Sequence, residues 1–324
     1  MGILNKASNF LILVLISDLL SSCNVFNEYS RLPGITYVTS LGKPPADAIV
    51  WSPKGSTKIL VSANDPIRHN SQVYIVDIVT KKKTMLVNAE YGETWGTTWL
   101  PDGKHIELSV VSGTQGFSGG GLWVVNTEDN SREYFLDGVS DALWLPDGKT
   151  LALQTLDFTT DQKPQPIEIA LMDIQTRKLV SIYSNQTAAA FGAGFSSSPD
   201  GQYVVFSLLY DFTSLASDVY ILNVRAGTVN QLTHDSVSSS PQWSPHGDLI
   251  AYEKKHGIGN QSKTSLHITL PDGSCDVEIP KIDYAISPTW SPDGKQLAFT
   301  GPDGIYVIDL EKFLGRDIYQ NLCQ

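Results

Sequence analysis

Apolar residues in this chain come in short alternating runs bounded by turn residues, not in helical stripes. One set comprises Ile59-Leu-Val61, Ile106-Glu-Leu108, Leu151-Ala-Leu153, Tyr203-Val-Val-Phe206, Leu249-Ile-Ala-Tyr252 and Gln296-Leu-Ala-Phe299. A second set follows each of these after a loop of variable length, from Val73-Tyr-Ile-Val-Asp77 to Ile305-Tyr-Val-Ile-Asp309. Both read as strands. Ahead of each member of the first set stands the same turn: Trp51-Ser-Pro-Lys-Gly55, Trp99-Leu-Pro-Asp-Gly103, Trp144-Leu-Pro-Asp-Gly148, Ser197-Ser-Pro-Asp-Gly201, Trp243-Ser-Pro-His-Gly247 and Trp290-Ser-Pro-Asp-Gly294. Proline presets φ for the first corner of a type I turn, and glycine takes the left-handed position that completes a bulged hairpin. Successive turns are 45 to 53 residues apart, and each interval holds about four strands. Many short strands fit either a large sandwich or a ring of radial sheets. Six units of this length select the ring, so the expected fold is all-β, a six-bladed β-propeller of four-stranded antiparallel blades.

The recurring Trp51, Trp99, Trp144, Trp243 and Trp290 are expected to pack blade on blade, with Phe195 standing in for the tryptophan that repeat 4 lacks. The aspartates Asp102, Asp147, Asp200 and Asp293 recur with the turn and read as turn chemistry. The sixth repeat ends after its third strand, and residues 311–324 read as polar and irregular. Ile35-Thr-Tyr-Val-Thr-Ser40, ahead of the first repeat, is strand-like and is expected to supply the missing outer strand. Lys81-Lys-Lys83 reads as a solvated hairpin tip.

The Trp-Ser-Pro-Asp-Gly turn, the Leu297-Ala-Phe299 strand and the Tyr306-Val-Ile-Asp309 strand resemble the TolB-like propeller repeat. The resemblance covers about residues 34 to 310. It implies protein–protein recognition in the cell envelope, by analogy of fold. With no Trp-Asp dipeptide and no Gly-His pair, a true WD-repeat is disfavoured. The N-terminal domain of TolB has no counterpart in this sequence, so the resemblance does not imply the Tol–Pal role itself.

At the start of the chain, Lys6 precedes the apolar run Phe10–Ile16, too short to span a bilayer. Leu20-Ser-Ser-Cys23 follows and resembles the lipobox of bacterial lipoproteins. That implies a signal peptide over 1–22, lipidation of Cys23, a tether to residue 33 and the propeller over 34–324. The expected address is the extracytoplasmic cell envelope, with the chain anchored to a membrane through Cys23. Several acyl chains suffice for a stable anchor, since each buried CH₂ contributes about 0.8 kcal/mol.

The formal net charge of −11 argues against nucleic acid as a partner, because phosphate binding needs a basic face. Gly116-Phe-Ser-Gly-Gly120 matches the hydrolase elbow, but it lies in a glycine-rich loop between two strands, where that motif has no nucleophile to present. The six histidines show no zinc spacing, and no phosphate or dinucleotide fingerprint occurs. No catalytic residue, metal site or cofactor is assigned. Cys275 and Cys323 are a possible disulfide in an oxidising compartment.

Antiparallel order puts the short Pro-Gly corners at one end of the ring and the long, varied loops at the other. Those loops carry Tyr91, Glu93, Trp95, Asp141, Phe158, Phe191, Tyr210, Phe212, His234, Asp235 and Tyr284, the candidate binding face. Glu93, Asp141 and Asp235 are the carboxylates that the loops offer at the mouth. The leading expectation is a non-enzymatic envelope module that binds a protein partner through this face. The alternative is an enzyme or a sensor of a small ligand or glycan at the propeller mouth, such as a lyase. A third reading is a purely structural envelope protein.

Overall fold

The computed structural model describes residues 29, 31–40, 48–53, 55–65, 70–89, 94–110, 121–136, 139–155, 167–257, 263–315, 318 and 322. The signal segment, Cys23 and the Gly116–Gly120 loop lie outside the described residues. Twenty-four strands form six four-stranded antiparallel sheets. The first strand, β1 (Ile35–Ser40), belongs to the last blade. Blade 1 is β2 (Ala48–Trp51), β3 (Lys58–Asp65), β4 (Asn70–Asp77) and β5 (Lys83–Ala89). Blade 2 is β6 (Thr94–Trp99), β7 (His105–Val110), β8 (Gly121–Asn126) and β9 (Arg132–Leu136). Blade 3 is β10 (Val139–Trp144), β11 (Thr150–Thr155), β12 (Ile167–Asp173) and β13 (Leu179–Asn185). Blade 4 is β14 (Ala190–Ser197), β15 (Tyr203–Asp211), β16 (Ala216–Asn223) and β17 (Val229–Gln231). Blade 5 is β18 (Ser238–Trp243), β19 (Ile250–His256), β20 (Lys263–Thr269) and β21 (Val277–Glu278). Blade 6 is β22 (Ile286–Trp290), β23 (Gln296–Thr300) and β24 (Gly304–Asp309), completed on its outer side by β1.

The corners behave as their residues dictate. All six turn glycines are left-handed, with φ from 64° to 85°. Asp102, Asp147, Asp200 and Asp293 each accept from a backbone amide two residues on, so their carboxylates serve the turn. Pro53, Pro146, Pro199, Pro245 and Pro292 line one opening of about 320 Å³, which places their corners around one end of the central channel.

The tryptophans stitch the seams. Trp99 Nε1 donates to Val50 O of blade 1 at 3.1 Å, and Trp290 Nε1 donates to Gln242 O of blade 5 at 3.1 Å. The Trp51 amide reaches Thr289 Oγ1 of blade 6 at 3.0 Å. In repeat 4, Phe195 is buried among Leu145 and Ala152 of blade 3. Gly194 sits where β14 crowds β18. A Cβ there would lie 2.6 Å from the Ser240 Cα, so no larger residue fits.

Two readings of the sequence are corrected. Residues 310–314 form a helix, α1 (Leu310–Leu314), capped by Asp309 at its start and left-handed Gly315 at its end. Beyond it Ile318 and Leu322 are buried in the core between blades 5 and 6. The tail therefore packs, because its three leucines and Ile318 cover apolar surface that polar composition had obscured. The Lys81–Lys83 tip is also more than a solvated edge. Lys81 Nζ donates to Tyr37 O at 3.1 Å and Lys83 Nζ donates to Ser40 O, tying blade 1 to the closing strand. Tyr29, within the expected tether, is buried against Tyr306 with ring centroids 5.5 Å apart. Cys275 is disulfide-bonded, and Cys23 and Cys323 both lie outside the described residues.

One seam carries an unpaired acid. Along β7, Ile106 and Leu108 face blade 1, so Glu107 faces blade 3. Glu107 is fully buried and, among the described residues, neither carboxyl oxygen has a hydrogen-bond partner. Burial, aided by the nearby Asp141, pushes its pKa well up, and burial raises Asp141 to about 7. Equivalent positions in the other blades are Leu60, Ala152, Val205, Ala251 and Ala298. Both acids hold their protons longer in the folded state than in the unfolded chain. Their contribution is full below the ordinary carboxylate range near pH 4 and is lost as pH rises through their raised folded values, about 7 for Asp141. Glu107→Leu is expected to raise stability by about 1–3 kcal/mol at pH 8 and by much less at pH 4. Denaturant titration at both pH values checks this.

Candidate binding face

The long loops and the outer ends of the strands meet opposite the proline ring. A cavity of about 430 Å³ opens there across blades 4, 5 and 6, lined by Phe191, Leu209, Leu215, Glu253, Lys255 and Tyr284, among others. Each wall has a local cause. Phe191 projects from β14 and packs its ring 6.0 Å from Phe206. Tyr284 is set by Tyr29, whose hydroxyl accepts from the amides of Asp283 and Tyr284 at 3.0 Å each.

Leu215 closes the turn between β15 and β16. Asp211 builds that turn by accepting from the Thr213 amide at 2.8 Å and from Ser214 Oγ at 2.8 Å, while its carbonyl accepts from the Leu215 amide. Leu215 is held at φ 56°, a conformation that leucine adopts only at a cost of about 1–2 kcal/mol. The turn points two large apolar side chains at solvent: Phe212 is 67% exposed and Leu215 45%.

Glu253 forms the floor. Its carboxylate accepts from Ser239 Oγ at 3.0 Å, Ser240 Oγ at 2.5 Å and the Ser287 amide at 3.3 Å. Burial raises its pKa, and the serine hydroxyls partly offset that. Glu253 is one of six buried polar residues at equivalent strand positions, with Ser62, Ser109, Gln154, Ser207 and Thr300. Each stands three places after the residue paired with the corner position. That regularity was legible in the sequence, where attention to loops passed it over.

The structure brings together two of the expected face residues, Phe191 and Tyr284, at one cavity, and Phe212 is exposed on the β15–β16 tip whose Leu215 lines it. Tyr210 turns away, its hydroxyl bonded to that of Tyr220. His234 is exposed. Asp235 is engaged by Ser238, the Val237 amide and Lys254, whose Nζ lies 3.2 Å away. Asp141 accepts from its neighbouring Ala142 amide at 2.9 Å and stands by Glu107, so Asp141 and Asp235 have separate surroundings. Trp95 lies on β6 opposite Ser109. Tyr91, Glu93 and Phe158 lie outside the described residues. Among the described residues no group of three His, Cys, Asp or Glu side chains is placed to hold a metal ion, and no helix is long and apolar enough to cross a membrane.

No family model matches the sequence. The Tol-Pal system protein TolB of Francisella tularensis subsp. mediasiatica is 28% identical over 225 residues, which are 68% of this chain and 49% of that protein. The crystal structure of TolB from Acinetobacter baumannii superposes with a TM-score of 0.56 at 18% identity, covering 80% of this chain and 65% of that one. The propeller is TolB-like. The chain spans about half the length of the curated TolB relatives it matches. The same fold carries other chemistry: an oligogalacturonate lyase from Vibrio parahaemolyticus superposes with a TM-score of 0.52 at 10% identity, covering 86% of this chain. The TolB-like ring is thus a scaffold, and what distinguishes this chain is the dressing of its loops.

Proposed function

We propose that this chain is a binding module of the cell envelope, anchored to a membrane through lipidated Cys23, that recognises a protein partner through the loop-bearing end of its propeller. The observation that carries the reading is the β15–β16 tip. Asp211 holds a strained turn that exposes Phe212 and sets Leu215 on a cavity walled by Phe191 and Tyr284. Exposed aromatic and aliphatic anchors beside a concave wall are the composition of interface hot spots. The likeness to a Tol-Pal system protein supports an envelope partner. The recognition itself needs no covalent step. In this reading Cys275 pairs with Cys323, which anchors the tail whose Leu322 lies in the core cluster that Cys275 packs against. A small ligand or glycan in the cavity is the second reading, favoured by Glu253 and Lys255 on its wall.

Site-specific photo-crosslinking in intact cells tests the proposal. A photoreactive residue at Phe212 is expected to yield a discrete protein adduct that one at Tyr134, 44% exposed on β9, does not. Adducts at both positions, or at neither, contradict protein recognition by this face. Fractionation of the same cells is expected to find the unsubstituted chain with membranes and Cys23→Ser in the soluble fraction; co-fractionation of both contradicts the anchor.

A further inference from the structure

Blade 5 carries a cluster that partner recognition leaves unused. Tyr252, Lys254 and His256 alternate along β19, and Ser265 and His267 along β20, with Tyr252 opposite His267 and Lys254 opposite Ser265. All five fall on one face of the sheet. That face packs on blade 4, since Tyr252 shares a cluster with Val205, Val219 and Ile221. Glu253 points the other way, toward the cavity. The two sites are therefore separate.

The distances define an order. His267 Nδ1 lies 2.9 Å from Asp276 Oδ1, and His267 Nε2 lies 3.0 Å from Ser265 Oγ. His256 Nε2 lies 2.9 Å from the same Oγ. Asp276 also accepts from Tyr252 Oη at 2.7 Å and from Lys254 Nζ at 2.7 Å. Burial opposes its ionisation, but the bonds from His267, Lys254 and Tyr252 outweigh burial and hold the carboxyl well below its ordinary range. An ionised Asp276 only accepts, so Nδ1 of His267 carries a proton, and in the neutral ring Nε2 offers the lone pair. Ser265 has one proton and donates it there. His256 must then be the donor to Oγ. The chain of donors runs His256, Ser265, His267, Asp276.

We propose that Ser265 is a nucleophilic serine, with His267 as its general base and Asp276 as the positioning residue, acting on esters of small acyl groups. Connectivity of hydroxyl to Nε2 and of Nδ1 to carboxylate is what activates a serine, whatever the fold or the order in sequence. Size follows from burial. Ser265 is 5% and His267 7% exposed, so only a small acyl group fits against Oγ. Oγ forms a bond to the acyl carbon as its proton passes to His267 Nε2. The bond to the leaving alcohol breaks, and the alcohol departs with that proton. Water then attacks the acyl-serine in the same way, releasing the acid and restoring the hydroxyl. His256 Nε2, 2.9 Å from Oγ, orients the hydroxyl.

The test is labelling of the full chain with an alkyl fluorophosphonate, which bonds phosphorus to an activated serine with loss of fluoride. Peptide mapping is expected to place the adduct on Ser265, to lose it in Ser265→Ala, and to find its rate down by about 100-fold or more in His267→Gln. A folded chain that gives no adduct at Ser265 overturns the proposal. So does labelling that is unchanged in His267→Gln.

Discussion

Tyr37 of β1 lies opposite Tyr306 of β24, and along this ladder the beginning of the described chain is hydrogen-bonded to its end. A ring of blades has no free edge between neighbours only if its ends are joined. Here the joint is backbone, running from Ile35 opposite Ile308 to Ser40 opposite Gly304. Side chains reinforce it. Tyr37 and Tyr29 pack edge-on against Tyr306, and Gly34 comes so close to the end of β24 and to α1 that a Cβ would sit 2.9 Å from the Phe313 amide. Through the hydroxyl of Tyr29 the same joint reaches the wall of the cavity at Tyr284. Closure and the candidate site are thus coupled by one residue.

The seams between blades share one plan and are varied to different ends. The corners and their tryptophans fix spacing, and each buried indole removes enough apolar surface to contribute about 4–6 kcal/mol as an upper bound. With the frame secured this way, individual blades tolerate departures. Blade 2 buries an unpartnered Glu107. Blade 5 turns Glu253 toward blade 6 and the Ser265 network toward blade 4. In an apolar seam each of these groups lowers stability unless satisfied. Glu253 and Ser265 are satisfied, and Glu107 is not.

Much of the frame was legible in the sequence because it rests on local chemistry that repeats. A corner with Pro and, two places on, Gly specifies its own turn, and six of them specify a ring. The helix over Leu310–Leu314 escaped notice because it occurs once, and its caps, Asp309 and Gly315, look like ordinary loop residues. The site was less legible. Alternation alone assigns Phe191 and Tyr284 to the loop-bearing end. Their meeting depends on how blades 4 and 6 approach blade 5, which no local pattern encodes. The Ser265 network was hidden for a related reason. Its members are adjacent only across β19, β20 and the Asp276 loop, and a search for histidine spacings along the chain does not see cross-strand neighbours.

Closure of the ring by β1 is the central claim, and removal of residues 34–40 addresses it most directly. The intact chain should unfold in a single cooperative thermal transition. The truncated chain should lose that transition to a broad, early one, with amide protection lost first in β22, β23 and β24 of blade 6. A truncated chain that melts cooperatively at the temperature of the intact one would contradict the account.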